Sequence, residues 1–310
     1  MEDEKIALVL FSGGLDSRLA AKIMEEQGFT VHLAFVKLPF GVGCCNDIQC
    51  IFNFSQTQGY KLHIIDSTKE ENFLEYVKLV REPKHGVGAS MNPCKDCKIF
   101  IFKKGKKLAE EIGASVIVTG EVMGQRPMSQ MKKTLLFDDE KAGLSGKILR
   151  PLSAKLLPET DYEKAGLVNR EKLFEISGRR RENQIKLAEK YKIKYPEPGG
   201  GCLLCHKEYG RKLKTMFSYN DNLTYEEIIL LKARMFKKDG LLFLGRNEEE
   251  NILFEKAGKN LSWNIFKKEN LPGPTVVYDK KEDREFAESL WKAYREKDLK
   301  AREKLDEFKI

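Results

Sequence analysis

The chain has 310 residues, of which 41% are hydrophobic and 33% charged, and its formal net charge is +8. This length predicts two domains with buried cores, and no apolar run approaches the ~20 residues that a membrane-spanning helix needs. The acidic start, Met1-Glu-Asp-Glu-Lys, is not typical of a secretory signal, so we expect a cytoplasmic protein with no membrane partner. The positive charge favours a polyanionic partner, although abundant Lys and Glu are equally typical of a heat-adapted surface.

Strand-like and helix-like segments alternate through the first 150 residues. Apolar runs at 6–11, 31–36, 62–65 and 116–119 predict strands, and helical spacing predicts helices at 18–27, 48–58, 72–81 and 99–112. This alternation predicts an α/β fold with a Rossmann-like parallel sheet and helices on both faces. Ligands of such sheets bind beyond the carboxyl ends of the strands, where the motifs described next are expected to lie.

The segment 12–17, Ser-Gly-Gly-Leu-Asp-Ser, joins the first strand to the first helix. Its glycines permit a tight turn and a close approach to a ligand, and the helix start offers free N–H groups to an anion. Ser12 and Ser17 add hydroxyl donors, and the Asp16 carboxylate can reach a metal on a phosphate. A plain strand-to-helix turn is the alternative, but the whole pattern is more specific than a double glycine. It is not a Walker loop, because no G-x-x-x-x-G-K-[ST] occurs in the chain.

Two C-x-x-C pairs follow, Cys94 with Cys97 and Cys202 with Cys205. Such pairs chelate a metal or form a redox couple, so a four-cysteine zinc site and an iron–sulfur site are both open. Their separation of ~100 residues exceeds the ~15–20 residues of a zinc ribbon. The spacing therefore indicates a site that joins two parts of the fold.

Cys44 and Cys45 lie in the loop after the second strand, just before the helix that begins near Ile48. The positive end of that helix can lower a thiol pKa, so either cysteine is a candidate nucleophile or persulfide carrier. The alternative is that both are ordinary buried thiols. Cys50, inside the helix, is expected to belong to the core.

Polar residues also follow the fourth strand, in segment 119–130. Arg126 can pair with a phosphate in a fork geometry, and an ordinary polar turn is the alternative. Further on, Arg179, Arg180 and Arg181 form a basic tract just before a helix at 181–191. A solvated charged face is the default interpretation, and contact with a nucleic-acid backbone is the functional one.

The pattern changes after residue 196, where Pro and Gly cluster. Beyond the second cysteine pair we predict a helix at 225–236, strands at 241–245, 261–266 and 275–278, and a charged helix at 281–308. This part reads as a smaller α+β domain. We place the boundary near Leu213, which gives domains 1–213 and 214–310.

Four motifs in this order resemble the tRNA 4-thiouridine synthetases and related tRNA-thiolating ATP pyrophosphatases, the PP-loop family. They are segments 12–17, 92–98, 119–130 (through Thr-Gly-Glu, Gly-Gln and Ser-Gln) and 149–152, and they cover roughly the first 205 residues. The resemblance implies an adenine nucleotide alpha hydrolase-like domain that binds ATP and Mg²⁺. The residues it assigns to ATP are Ser12, Gly13, Gly14, Asp16, Ser17, Gly120, Glu121 and Gln125.

The implied reaction is tRNA uridine sulfurtransfer with AMP and pyrophosphate as products. Asp16 assists the adenylation of a uridine carbonyl oxygen, and sulfur then replaces AMP. The resemblance favours 4-thiouridine, with 2-thiouridine second. Sulfur would come from sulfide or from the persulfide of a cysteine desulfurase, and a homodimer is one option for the assembly.

One subgroup of the family holds a [4Fe–4S] cluster on three cysteines. Carried over, the ligands are Cys94, Cys97 and Cys202, and the fourth iron position stays open for sulfide. Cys205 supplies an additional thiolate that can close the cluster or complete a zinc site. A rival scheme uses a persulfide on Cys44 or Cys45, as the catalytic thiol, with Zn²⁺ on the other four cysteines.

Residues 215–295 resemble the RNA-binding domain of NFACT-type proteins, through Leu-Gly-Arg-Asn at 244–247 and Leu-Pro-Gly-Pro at 271–274. The amino-terminal RNA-binding extension typical of 4-thiouridine enzymes does not precede the loop at residue 12, so we expect this part to hold tRNA. The candidate RNA contacts are Arg126, Arg179, Arg180, Arg181 and Arg246. Trp263 and Phe266 are alternatively plain core residues. A rival of another class is an RNA-binding module whose nucleotide loop only senses ATP.

Overall fold

The computed structural model describes residues 4–41, 47–197 and 201–310. The chain forms two compact units, the first from Met1–Gly88 and Asn92–Cys202, the second from Ala89–Met91 and Leu203–Ile310. In the described residues, no helix is long and apolar enough to cross a membrane.

The first unit alternates strands and helices. Its strands are β1 Ile6–Leu10, β2 Thr30–Lys37, β3 Lys61–Asp66 and β4 Val116–Thr119, and its helices are α1 Leu15–Glu26, α2 Ile48–Gln58, α3 Glu70–Arg81, α4 Cys94–Ile112, α5 Lys132–Lys141, α6 Asp161–Lys164 and α7 Glu182–Lys190. Gly59 and Gly113 end α2 and α4 in the left-handed conformation, at φ 71° and 66°.

The four strands form one parallel sheet in the order β3-β2-β1-β4. The chain leaves β1 for β2 on one side and later returns to pair β4 on the other side. The strand order therefore reverses between β1 and β4. The crevice beyond the carboxyl ends of these two strands is the position where open α/β sheets bind ligands.

Alternate residues of the strands pack against helices on opposite faces. Ala7 and Val9 face a cluster that includes residues of α1 and α7, and Leu8 and Leu10 face residues of α4. Each face buries mainly aliphatic side chains, which is the pattern of a parallel sheet covered on both sides. The predicted fold class is confirmed.

The second unit is built on an antiparallel sheet in the order β5-β6-β8-β7. Its strands are β5 Arg234–Lys237, β6 Leu241–Leu244, β7 Asn264–Phe266 and β8 Val276–Tyr278, and its helices are α8 Lys207–Tyr219, α9 Tyr225–Leu230, α10 Glu248–Asn260, α11 Arg284–Arg295 and α12 Leu299–Leu305. Phe286, Leu290 and Trp291 of α11 pack on β6 and β8. Leu213, the predicted boundary, is buried within α8.

Two predicted helices of the second unit were wrong in part. The helix predicted at 225–236 ends at Leu230, because Met235 and Phe236 are buried in β5 and pair with β6. The helix predicted at 281–308 is interrupted at Lys297, which has a positive φ of 55° between α11 and α12. In the first place the strand pairing of β5 decides the local structure over helical spacing.

Candidate active site

The segment 12–17 forms the turn between β1 and α1. Gly13 has a φ of 80°, a conformation that strongly favours glycine. Ser17 Oγ donates to the Gly14 carbonyl at 2.9 Å and Ser12 Oγ donates to Ser17 Oγ at 3.4 Å. Because Gly14 caps α1 without a side-chain hydrogen bond, the first N–H groups of the helix remain available to an anion.

Arg18 fixes this turn from inside the protein. Its buried guanidinium donates to the Gly13 carbonyl at 2.8 Å, to the Lys194 carbonyl at 2.8 Å and to Cys50 Sγ at 3.1 Å. It also lies 4.4 Å from the centre of the Phe54 ring. Cys50 is half-buried, and its Sγ accepts a hydrogen bond from Arg18. The sequence analysis did not single out Arg18, although a charged residue within the apolar stripe of α1 was a signal.

The loop after β4 lies directly against the turn. A Cβ atom at Gly120 would lie 2.5 Å from the backbone carbon of Asp16 and closer still to the amide nitrogen of Ser17, so only glycine fits without movement. Gln125 Nε2 donates to Asp16 Oδ2 at 2.9 Å. The structure thus brings together the two loops that were predicted to bind the nucleotide.

Asp16 is the acidic group of this crevice. Burial raises its pKa, while the hydrogen bond from Gln125 and the charges of Arg181 and Arg126 oppose that rise. Its Oδ1 is buried and has no hydrogen-bond partner among the described residues. A buried carboxylate oxygen without a donor suits a hard cation such as Mg²⁺, so the donor chemistry at Asp16 fits the implied metal.

Glu121 is held by two cations. Lys98 pairs with Glu121 Oε1, and Arg150 Nε donates to Glu121 Oε2 at 3.0 Å. These charges lower the pKa of Glu121 to about 2, against the opposing effect of its burial. Lys98 also donates to the Ser129 carbonyl at 3.1 Å. Lys98 on α4 thus fixes both ends of the loop after β4, a role that the sequence analysis missed.

The neighbouring Asp138 and Asp139 lie in the same buried network but differ in their hydrogen bonds. Arg150 donates to both oxygens of Asp139, at 2.8 and 2.7 Å. Asp138 is 1% exposed, and both of its oxygens lack a hydrogen-bond partner within the described ranges. Burial raises the pKa of Asp138 to about 7, although Lys98 lies 3.9 Å away.

The predicted basic contacts of the first unit occupy different environments. Arg126, Arg179 and Arg180 are exposed. Arg181 is half-buried, with its Nη2 3.8 Å from Asp16 Oδ2. Only part of the basic tract therefore faces solvent.

Three predicted cysteine ligands lie near the buried Tyr76. Its hydroxyl lies 3.1 Å from Cys97 Sγ, and burial followed by the thiols of Cys97, Cys202 and Cys94 raises its pKa. Cys94 and Cys97 occupy the first turn of α4, and Cys202 forms a β-bridge with Gly41 after β2. Burial raises the pKa of the Cys97 thiol to about 11.

In the part of the chain that the structure describes, no group of three or more His, Cys, Asp or Glu side chains is already arranged to hold a metal ion. The three thiols around Tyr76 are nevertheless soft donors of the type that iron–sulfur clusters and zinc take. Cys205 belongs to the second unit, where it is exposed. Cys44 and Cys45 lie outside the described residues.

The remaining predicted contact, Arg246, lies in the second unit. Its guanidinium pairs with Glu250 at 2.6 Å. Trp263 is half-buried and stacks on Phe243, whereas Phe266 meets Trp291 edge to face.

A cavity of about 780 Å³ opens elsewhere in the first unit, at the amino ends of β1 and β2. Its described lining, which includes Thr30, His32, Tyr60 and Lys61, contains none of the motif residues. The polar convergence at β1 and β4 therefore identifies the candidate site better than cavity size does.

Comparison with known proteins gives matches to tRNA-thiolating enzymes, and the family-model match lies within the first unit. The family model described as Thiamine biosynthesis protein (ThiI) matches residues 3–155. The tRNA-specific 2-thiouridylase MnmA of Campylobacter fetus is 32% identical over 115 residues, which cover 36% of this chain and 33% of that protein. The Probable tRNA sulfurtransferase of Thermococcus kodakarensis is 31% identical over 120 residues, which cover 38% of this chain and 30% of that protein.

Each match to these curated relatives spans about a third of the relative's length. Among solved structures, the U34-tRNA thiolase NcsA from Methanococcus maripaludis with its [4Fe-4S] cluster is 17% identical with a TM-score of 0.38, and the match covers 74% of this chain and 71% of that chain. The NFACT-type resemblance of the second unit stays a prediction. Residues 3–155 therefore carry a domain that matches the ThiI family model, a model of PP-loop tRNA-thiolation proteins.

Proposed function

We propose that this protein is an ATP-dependent tRNA uridine sulfurtransferase. The observation that carries the proposal is the linkage through Lys98. This residue directly follows Cys97 and bonds Glu121 and Ser129 of the loop whose Gln125 bonds Asp16. Such a linkage supports a site in which a nucleotide and a sulfur carrier act on one substrate.

The first step activates the uracil. A uracil carbonyl oxygen attacks the α-phosphorus of ATP, a new P–O bond forms, and pyrophosphate leaves. The free N–H groups at the start of α1 and the hydroxyls of Ser12 and Ser17 are suited to hold the phosphates. Asp16, with its unpartnered Oδ1, would hold Mg²⁺, which neutralises charge on the departing pyrophosphate.

The second step exchanges oxygen for sulfur. Sulfide attacks the activated carbon, the C–O bond breaks, and AMP leaves with the former uracil oxygen. Cys94, Cys97 and Cys202 are the proposed ligands of a [4Fe–4S] cluster, which supplies an iron position for sulfide when bound. The contact between Tyr76 and Cys97 would orient the Cys97 thiol. We favour 4-thiouridine as the product, with 2-thiouridine second.

The tRNA contacts are proposed for the exposed Arg126, Arg179 and Arg180, together with the second unit through Arg246. Arg126 is close enough to Asp16 to lower its pKa, so a backbone phosphate at Arg126 would lie beside the adenylation site. Sulfide is the proposed sulfur source; the persulfide of a cysteine desulfurase would supply it together with a thiol that reduces the S–S bond and releases sulfide.

Nucleoside analysis of tRNA from a strain that lacks this gene tests the proposal. We expect one thiolated uridine to disappear and to return when the wild-type chain, but not Asp16→Asn, is expressed. Persistence of every thiolated uridine, with no thiolation by purified protein given ATP and sulfide, would contradict the enzyme and favour an ATP-sensing RNA-binding module.

A further inference from the structure

The proposed nucleotide site contains a cationic side chain, Arg181, that was predicted from the sequence to contact RNA. Arg181 Nη2 lies 3.8 Å from Asp16 Oδ2, which is too long for a hydrogen bond, while Gln125 occupies the same oxygen at 2.9 Å. Arg181 was predicted to contact RNA together with its neighbours. Its two neighbours in the tract, Arg179 and Arg180, are exposed, whereas Arg181 is half-buried. The difference in burial distinguishes Arg181 from the two residues that can contact RNA.

Three buried polar atoms of this cluster lack partners in the described structure. They are Asp16 Oδ1, Arg181 Nε and Gln184 Oε1, and Gln184 is fully buried. Gln184 belongs to the cluster because its Nε2 lies 3.5 Å from Gln125 Oε1 and its side chain also interacts with Asp16. Buried polar atoms without partners cost free energy, and such groups concentrate where a ligand completes the bonding.

The three atoms have complementary requirements. Asp16 Oδ1 requires a cation or donor, Arg181 Nε requires an acceptor, and Gln184 Oε1 requires a donor. A magnesium–polyphosphate meets these requirements, because the metal can bind the carboxylate, a phosphate oxygen can accept from the guanidinium, and metal-bound water or ribose hydroxyl can donate to the amide.

We propose that Arg181 is a nucleotide-site residue that changes partner on binding. Without nucleotide it is the counter-ion of Asp16, and with metal–nucleotide bound it donates to a phosphate oxygen while Asp16 turns to the metal. This inference rests on the nucleotide-binding half of the proposed function and not on sulfur transfer. A loose ion pair at 3.8 Å is suited to such an exchange, since no close hydrogen bond has to break.

The test compares Arg181→Gln with the matched control Arg180→Gln. Calorimetry with the magnesium complex of a non-hydrolysable ATP analogue should show about 10- to 100-fold weaker binding for Arg181→Gln, the effect of one charge-assisted hydrogen bond, and no change for Arg180→Gln. Filter binding should show tRNA affinity within about twofold of wild type for Arg181→Gln, since its charge serves the nucleotide. Equal loss of tRNA affinity in both variants, with unchanged nucleotide affinity, would show that Arg181 contacts RNA and not the nucleotide.

A second readout tests the change of partner. Spectroscopic titration with Mn²⁺ alone should show tighter metal binding in Arg181→Gln than in wild type, because a competing cation has been removed from Asp16. Unchanged or weaker Mn²⁺ binding by Arg181→Gln would contradict the proposed change of partner. Arg181→Lys keeps the charge without the fork, so it should bind Mn²⁺ like wild type and the nucleotide with intermediate affinity. These measurements need no thiolation, so a failure of sulfur transfer is seen separately.

Discussion

At the scale of single residues, neighbouring Asp138 and Asp139 both have a raised pKa but differ in their hydrogen bonds. Asp139 accepts two hydrogen bonds from Arg150, whereas Asp138 is buried without a hydrogen bond in the described structure. The pKa of Asp138 is raised to about 7, so between pH ~4 and 7 the folded chain binds a proton that the unfolded chain has lost. This residue therefore lowers the free energy of unfolding as pH rises through that window.

Replacing Asp138 should remove this pH dependence. We expect Asp138→Asn to resemble wild type near pH 4 and to be more stable by about 1–3 kcal/mol at pH 8, where the buried charge has its full cost. Denaturant unfolding across the pH range measures the difference. Glu121 does not obscure this difference, because its pKa is lowered to about 2 and its stabilising effect is lost only as the pH falls below ~4.

The matched control is Asp139→Asn, which weakens the pairing with Arg150 and should lower stability by about 2–5 kcal/mol at neutral pH. Parallel pH curves for wild type and Asp138→Asn would contradict the assignment of a buried carboxylate that lacks a hydrogen bond.

Asp16 gives the second prediction at this scale. Asp16→Asn keeps the size of the side chain but removes the charge proposed for the metal and the transition state. We expect pyrophosphate release to fall by at least ~100-fold, with tRNA affinity nearly unchanged. Release assays and filter binding on the same preparation measure both quantities. A large loss of tRNA binding would mean that Asp16 lies in the RNA contact surface.

At the scale of elements, close contact between two loops defines the crevice. Gly120 approaches the backbone of Asp16 and Ser17 so closely that a methyl group has no room. Gly14 has a φ of −77°, and a Cβ there would lie 3.7 Å from Ser12 Oγ, an ordinary contact. Gly120 is thus required for packing of the loops, whereas a methyl group at Gly14 meets no tight contact in the described structure.

Alanine at these positions should separate the two effects. Gly120→Ala should destabilise the protein by about 1–3 kcal/mol and weaken nucleotide binding, because the loops must move apart. Gly14→Ala should fold with wild-type stability but bind nucleotide less tightly, since its methyl group would be added to the loop that we propose to hold the phosphates. Thermal unfolding and nucleotide calorimetry distinguish them. Equal stability of the two variants would rule out the packing role of Gly120.

The order and type of the first elements were predictable because alternation and glycine stops are local signals. Segment 12–17, the loop after β4 and their common location at the carboxyl ends of strands followed from that order. The buried network was not predictable, since Arg150 meets Glu121 and Asp139 from 29 and 11 residues away along the chain. Helical spacing misled at 234–236, where Phe236 pairs with Leu242 in a sheet.

At the scale of the whole molecule, residues distant in sequence converge in the first unit. Cys202 joins Cys94 and Cys97 around Tyr76 although about 100 residues separate them. Cys205, only three positions later, falls in the second unit. A ligand set of Cys94, Cys97 and Cys202, with Cys205 outside it, stays a prediction.

Serine substitutions test that grouping. In protein purified without oxygen, we expect iron and labile sulfide in the wild type, and their loss in Cys94→Ser, Cys97→Ser and Cys202→Ser. Cys205→Ser is the matched control and should retain both. Stoichiometric zinc without iron in the wild type, or loss of metal in Cys205→Ser, would instead favour a four-cysteine zinc site.

The most direct test of the account follows one oxygen atom. Purified protein is supplied with Mg²⁺, ATP, sulfide and tRNA whose uridines carry ¹⁸O at the C4 carbonyl, and the products are analysed by mass spectrometry. Activation of that oxygen predicts AMP with one ¹⁸O, unlabelled pyrophosphate, and one sulfur gained by the tRNA for each labelled AMP. Unlabelled AMP beside 2-thiouridine would move the reaction to the C2 carbonyl, whereas unlabelled AMP with no sulfur in the tRNA would contradict the proposed reaction.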